Sequence, residues 1–389
     1  MDKAIESPYT GQFTASRIGG HFAFHESGGD TLDAAINIIS LPTFDLIAEI
    51  PLFPNGDPGM EAKRAVLSNQ SMAYSPDGSQ LAFMGVINDP TSDLYVYSLD
   101  SGELVQLTNG RTQGYQPSWS PDGKFILHTG ADAFGSGAGF STKGIWTAQA
   151  DRDNVKSLYS PEPNNAEMIL GWMDDETFAV YSWSQPCGPF NLRTFNIESG
   201  QTEVLWADAF NDIAFDPDSN TTLLTSWDGD MCAPETGAGT YLISARDGEV
   251  MKVADDIGVS VVWSQTGQSF LMYGGIPDEW MLSVDTRGNV LEIDRPTEAM
   301  NQPALSPDGI ILVWAGGPPH MSSTDSTIPL RGLLDESIHQ ALWTPDGQAV
   351  IFVAKSGLYI AQQPDFIPVL ISSEIQLQKF DDYMEWIFP

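Results

Sequence analysis

The side chains best suited to chemistry are few and scattered. Five histidines (His21, His25, His128, His320 and His339) and two cysteines (Cys187 and Cys232) are spread over 389 residues. No HxH pair and no helical histidine pair gives the ligand spacing of a zinc site. His21 and His25 are four apart, so on a strand they share a face but sit well over ~10 Å from each other. His25 and His128 are expected at matching ends of second strands in their repeats, and His320 in a loop. Asp228-Gly229-Asp230 is the one candidate for calcium, because a loop can present both carboxylates. The full calcium-loop spacing is absent, since no Glu follows at the required offset, and no other cofactor is implied. There is no Gly-x-Ser-x-Gly elbow. The Gly-rich stretch 134–140 lacks the strand-to-helix context of a phosphate cradle. The pattern leans against an enzyme.

The cysteines are more informative. Cys187 follows Trp183 and Cys232 follows Trp227, and each Trp is expected to end the second strand of its repeat. Equivalent loops of adjacent repeats approach on one face, so a Cys187–Cys232 disulfide is expected. Closing that 46-residue loop would stabilise by about 4 kcal/mol in the chain-entropy model. A disulfide implies an oxidising compartment. A catalytic thiol is not expected, as no His lies near either cysteine in sequence.

The elements that must position these residues come from an internal repeat. Ser75-Pro76-Asp77-Gly78 recurs as Ser120-Pro121-Asp122-Gly123 and Ser306-Pro307-Asp308-Gly309, with Thr344-Pro345-Asp346-Gly347 a near copy. Degenerate copies begin at Met173, Asp216 and Ser264. A large residue precedes each: Tyr74, Trp119, Trp172, Phe215, Trp263, Leu305 and Trp343, at spacings of 38 to 53 residues. Pro presets a turn φ, Asp bonds nearby backbone and Gly accepts positive φ, which makes a tight hairpin. An apolar run, a loop, a third strand and a fourth follow, giving one four-stranded blade per repeat.

These blades resemble the TolB-type branch of the WD-like β-propellers, on the strength of the Ser/Thr-Pro-Asp-Gly tetrad behind a large anchor. The resemblance covers 71–372, seven sequential blades, and implies an all-β propeller. Prolyl-oligopeptidase relatives carry a similar propeller joined to a hydrolase domain. About 17 residues follow the last blade here, so no such domain is expected within this sequence. After an arm at 1–19, residues 20–53 supply three strands, and 383–389, with Trp386 at the anchor position, are expected to complete that blade. A single closed ring of eight blades results. Seven is the alternative, because 310–332 matches three strands poorly.

Within a blade, strands run a to d. The a–b turns are the short tetrads. The b–c loops are long, at 130–143, 184–190, 228–239 and 315–326, as is the d–a connection 54–70. Long loops therefore collect at the b–c/d–a end, the expected binding face. Phe134, Phe140, Trp183, Trp227 and His320 are its candidate contacts. Trp183 and Trp227 would cover the disulfide or stack on a sugar.

Charge excludes some partners. Fifty-two acidic against 17 basic residues give −35, which repels nucleic acid and anionic lipid. No run of about 18 apolar residues suggests a membrane span. The start carries no signal core, so a targeting segment is expected to be absent from this sequence. The leading expectation is a non-catalytic, extracytoplasmic propeller that binds another protein or a cell-surface polymer, in a larger assembly or alone. The alternatives are a polysaccharide lyase or hydrolase with an axial, metal-assisted site using His25 or His128, and a structural subunit of a surface layer or filament.

Overall fold

The computed structural model describes residues 13–15, 21–26, 31–40, 45–67, 71–110, 112–133, 141–150, 152–159, 166–184, 188–226, 237–255, 260–263, 269–274, 280–293, 302–315, 317–324, 328–344 and 347–373. Among these lie eight four-stranded antiparallel sheets, and in each the order in space is the order in sequence. The first strands of the eight blades begin at Phe13, Met72, Gln113, Ala166, Asp212, Ser260, Gln302 and Ile338. The chain divides into two compact units. One holds Met1–Glu176 with Ile197–Gly200 and Gln378–Pro389; the other holds Thr177–Asn196 and Gln201–Leu377.

In both units b strands lie in the core, whereas d strands expose apolar residues along the sheet edge. Strand b of the second blade, Gln80–Gly85, is buried from Leu81 onward, whereas strand d, Leu104–Gln106, exposes Leu104 and Val105. In the second unit strand b of the sixth blade, Ser269–Gly274, is likewise buried, and strand d, Val290–Ile293, exposes Val290 and Leu291. A strand with a sheet neighbour on each side and blades on both faces reads as a continuous apolar run.

The anchor residues have a further role beyond filling the core. Trp119 Nε1 donates to Ala73 O, Trp172 Nε1 to Ser118 O and Trp343 Nε1 to Ala304 O, each at 3.0 Å. In every case the acceptor immediately precedes the anchor of the previous blade. Each indole thus spans the seam and fixes the register of one blade on the next while satisfying its own buried N–H.

The three Ser-Pro-Asp-Gly tetrads are hydrogen-bonded alike. The Ser75, Ser120 and Ser306 hydroxyls donate to Asp77, Asp122 and Asp308 at 2.6, 2.7 and 2.5 Å. They accept from the N–H groups of Gln80, Phe125 and Ile311. Gly78, Gly123 and Gly309 sit at φ 74°, 71° and 74°, where a side chain is disfavoured. In the degenerate fifth blade Asp216 takes over, accepting from the Asp218 and Ser219 N–H groups, while Asn220 adopts φ 56°.

Several expectations are corrected. The first blade is completed by Phe13–Ala15, paired with His21–Glu26. That is the place assigned above to 383–389, which lie outside the described residues, and it falls within the expected arm. A short local connection has a smaller loop-closure cost than recruiting a strand from the far end of the chain. Residues 310–332 do form strands, Ile311–Ala315, His320–Ser323 and Arg331–Gly332, so the blades number eight. His320 therefore opens a strand instead of lying in a loop. The 130–143 loop is also shorter than expected, because strands Phe125–Ala133 and Ser141–Gln149 extend into it. The 54–70 connection contains a helix, Met60–Val66, which packs Ala65 against Tyr115 and Ala131.

Candidate functional site

Several expected contacts cannot be placed: Phe134, Phe140, Trp227, Cys187, Cys232, Asp228 and Asp230 all lie outside the described residues. Trp183 is half-buried and faces Pro189 across its hairpin. The His320 Nδ1–H donates to the Pro318 carbonyl at 2.8 Å. Neither residue lines the cleft described next, and among the described residues no group of three His, Cys, Asp or Glu side chains converges for a metal.

What the structure does show at the b–c/d–a end is an open cleft of about 720 Å³ between the second and third blades, both in the first unit. Its lining includes Asp93, Gln106, Thr108, Asn109, His128 and Trp146. Asp93 opens strand c of the second blade; Gln106 to Asn109 end strand d and start the connection onward. His128 and Trp146 are direct cross-strand partners on strands b and c of the third blade. Their rings stack at 6.0 Å and 21°.

Two groups of polar residues play different roles here. Asp93 is 1% exposed and accepts from the Thr108 hydroxyl at 2.9 Å, the Gly110 N–H at 3.1 Å and the Thr91 hydroxyl at 3.2 Å. Burial raises its carboxyl above the usual range, against the pull of those donors. Gln106 donates to Thr108 O at 2.8 Å and accepts from Asn88 Nδ2 at 2.7 Å. These side chains are spent on each other: they shape the wall. His128 is different. It is 6% exposed, and its Nδ1 is buried without a hydrogen-bond partner. Burial lowers its pKa to about 4, so it is neutral at pH 7. Trp146 is half-buried in the same wall, and Asn109 is exposed at its rim.

Glycines make room for the indole. A Cβ on Gly130 would stand 2.6 Å from Trp146 Cζ3 and 2.9 Å from Thr112 Oγ1. No side chain fits between the strand and the ring.

His25 and His128 were expected at matching positions. They are offset by one. Phe22 aligns with Leu81 and Ile126 through their partners Ala15, Tyr74 and Trp119, which sets His25 level with Met84 and Thr129. Successive strand residues point to opposite faces, so the two rings project oppositely. His25 Nε2 lies 3.5 Å from Ser71 Oγ beside the second blade, and His128 faces that blade from the other side. The second blade stands between them, which rules out a shared ligand set. Burial lowers His25 to about 4 as well.

The cleft residues were only partly legible. His128 stood out as a histidine. Asp93 and Trp146 carried no motif; the one available signal was a Ser-Asp pair opening an apolar strand.

No family model matches the sequence. An uncharacterized protein of Agrobacterium fabrum is 27% identical over 114 residues, covering 27% of this chain and 36% of that protein, so the chain spans about a third of that relative's length. Among solved structures, the dipeptidyl peptidase 4 of Porphyromonas gingivalis is similar with a TM-score of 0.63 at 10% identity, over 98% of this chain and 61% of that one. An oligogalacturonate lyase in complex with manganese is similar with a TM-score of 0.53 at 15% identity, over 94% of this chain and 99% of that one. At such identities the likeness shows the fold, and the fold is that of the β-propellers.

Proposed function

We propose that this protein is a recognition module that binds another macromolecule through the b–c/d–a end of its blades. The cleft between the second and third blades carries this reading. It combines an aromatic wall, a neutral buried imidazole with an unused nitrogen, and an exposed amide at the rim, held by a satisfied polar network. Such a preorganised concave site suits binding. Within the propeller fold, the three identically bonded Ser-Pro-Asp-Gly turns favour the TolB-type branch. The Cys187/Cys232 positions favour work outside the cytoplasm. Thiol titration of the unfolded, unreduced protein should find none free; two free thiols would remove that support.

Asn109→Trp tests the site, because Asn109 is exposed and a bulky ring there obstructs the cleft without touching the core. The variant should unfold at the same urea concentration as the wild type and lose the macromolecular partner that crosslinks to the wild-type protein. Unchanged crosslinking would place recognition elsewhere.

A second reading, a polysaccharide lyase or hydrolase, draws on the fold shared with a lyase. It predicts cleavage of a polysaccharide that depends on His25 or His128. Product release unaltered in both His→Ala variants would set these residues aside.

A further inference from the structure

We infer that the cleft between the second and third blades takes a neutral sugar unit of a glycan chain, stacked on Trp146. This rests on the recognition reading above and names its ligand class.

The argument is one of what the cleft leaves unused. Its buried charge, Asp93, is already met by the Thr108 and Thr91 hydroxyls and the Gly110 N–H. Gln106 is occupied by Thr108 and Asn88. The lining groups left outside that network are uncharged: the exposed Asn109 amide, the half-buried Trp146 ring and, behind them, the buried His128 imidazole. No hydrogen bond engages the Nδ1 of His128, although nine-tenths of that side chain is buried. A buried polar atom without a partner is costly, and a hydroxyl can serve as donor or acceptor to either tautomer. A sugar offers that combination: a C–H face for an indole and a ring of hydroxyls for imidazole and amide. A volume of about 720 Å³ admits more than one such unit. Net charge decides between sugars. At −35 the protein repels uronates and sulfated glycans, so the neutral class is favoured.

The tight fit at Gly130 supports a dedicated platform. The backbone there passes so close under Trp146 that the ring lies against the strand, with Thr112 on its flank.

The probes are cello-, xylo- and manno-oligosaccharides, an oligogalacturonate and an oligolysine, titrated calorimetrically against the intact protein. At least one neutral oligosaccharide should bind, with affinity reduced about tenfold or more in both Trp146→Ala and Asn109→Trp. The Asn109 variant keeps the test decisive should Trp146→Ala fail to fold. Binding of a neutral sugar that both variants leave unchanged overturns the site assignment. Failure of every neutral sugar, or tighter binding of the oligogalacturonate or oligolysine, overturns the ligand class. If the macromolecular partner is still lost in Asn109→Trp in that case, the recognition reading stands without the sugar.

Discussion

The two ends of the blades are built on opposite principles. At the a–b end, three blades repeat one turn bond for bond, with Ser to Asp at 2.5 to 2.7 Å and glycine φ of 71° to 74°. At the b–c/d–a end the described residues of three blades differ. One carries a cleft walled by His128 and Trp146, another a two-residue strand at Arg331–Gly332, and the second blade is entered through the helix Met60–Val66. Repetition marks what every blade needs in order to fold. Irregularity marks where a single blade is free to do something else, since a loop there disturbs only its neighbours.

The sharpest way to break this comparison is to attack what joins one blade to the next, the anchor indoles. Trp343 is 2% exposed, meets Phe366 edge-on at 5.7 Å and donates to Ala304 O. Trp343→Ala should cost about 3–5 kcal/mol, seen as a large drop in the urea midpoint. Trp343→Phe keeps most of the packing and orphans one carbonyl, so it should cost about 1–3 kcal/mol. Equal costs for the two would mean that the seam hydrogen bond, not the buried area, holds the blades in register.

Next in size is the response to acid, which belongs to the irregular end. Both His25 and His128 have folded pKa values of about 4, below the unfolded 6.5. As pH falls through 6.5 the unfolded chain takes up protons that the folded chain refuses, and stability declines. The histidines' share of the decline ends near pH 4, where the folded rings also protonate; below that, carboxylates held low in the fold, such as Asp77, carry it on. Each histidine contributes a loss of up to about 3 kcal/mol across that window. His25→Leu should flatten the slope of stability against pH by about 1.4 kcal/mol per unit. An unaltered slope would show that His25 is accessible to protons in the folded state.

Gly130→Ala separates the site from the fold. The new methyl would press on Trp146 and Thr112, an overpacking cost of about 1–3 kcal/mol. The folded remainder should bind cleft ligands poorly because the ring is displaced. If calorimetry found binding intact, Trp146 would not be the platform.

The same division governs what the sequence made legible. Seven blades and the a–b turns could be read because Ser, Pro, Asp and Gly act through their own backbone, within five residues of one another; the eighth was counted with 383–389 in the place that Phe13–Ala15 takes. The anchors were recognisable as core, but their hydrogen bonds across the seam were not, since the acceptors lie 39 to 54 residues away. Asp93 was invisible for a related reason: its role depends on Thr108 and Gly110, which fold back from strand d. The offset between His25 and His128 escaped notice because a slip of one residue leaves composition unchanged while reversing the face. Helix Met60–Val66 was missed: its Ala, Glu, Lys and Arg favour helix, but it sits in a stretch bounded by Gly and Pro that reads as loop.

The smallest effect is the cleanest control on the comparison. Ser75→Ala removes the donor to Asp77 and the acceptor for the Gln80 N–H. Ser75 and Ser79 together hold the Asp77 carboxyl below its usual range, so losing one donor raises it towards the ordinary value. The turn keeps its Gly78 to Ser75 backbone bond and its proline, and solvent reaches the vacated carboxylate. The loss should be about 1 kcal/mol, a small shift in the urea midpoint. Ligand binding at the cleft should not change, because a rigid strand pair separates this turn from that end. If Ser75→Ala weakened binding as much as Gly130→Ala does, the two ends would be coupled. The turn would then belong to the site as well as to the fold.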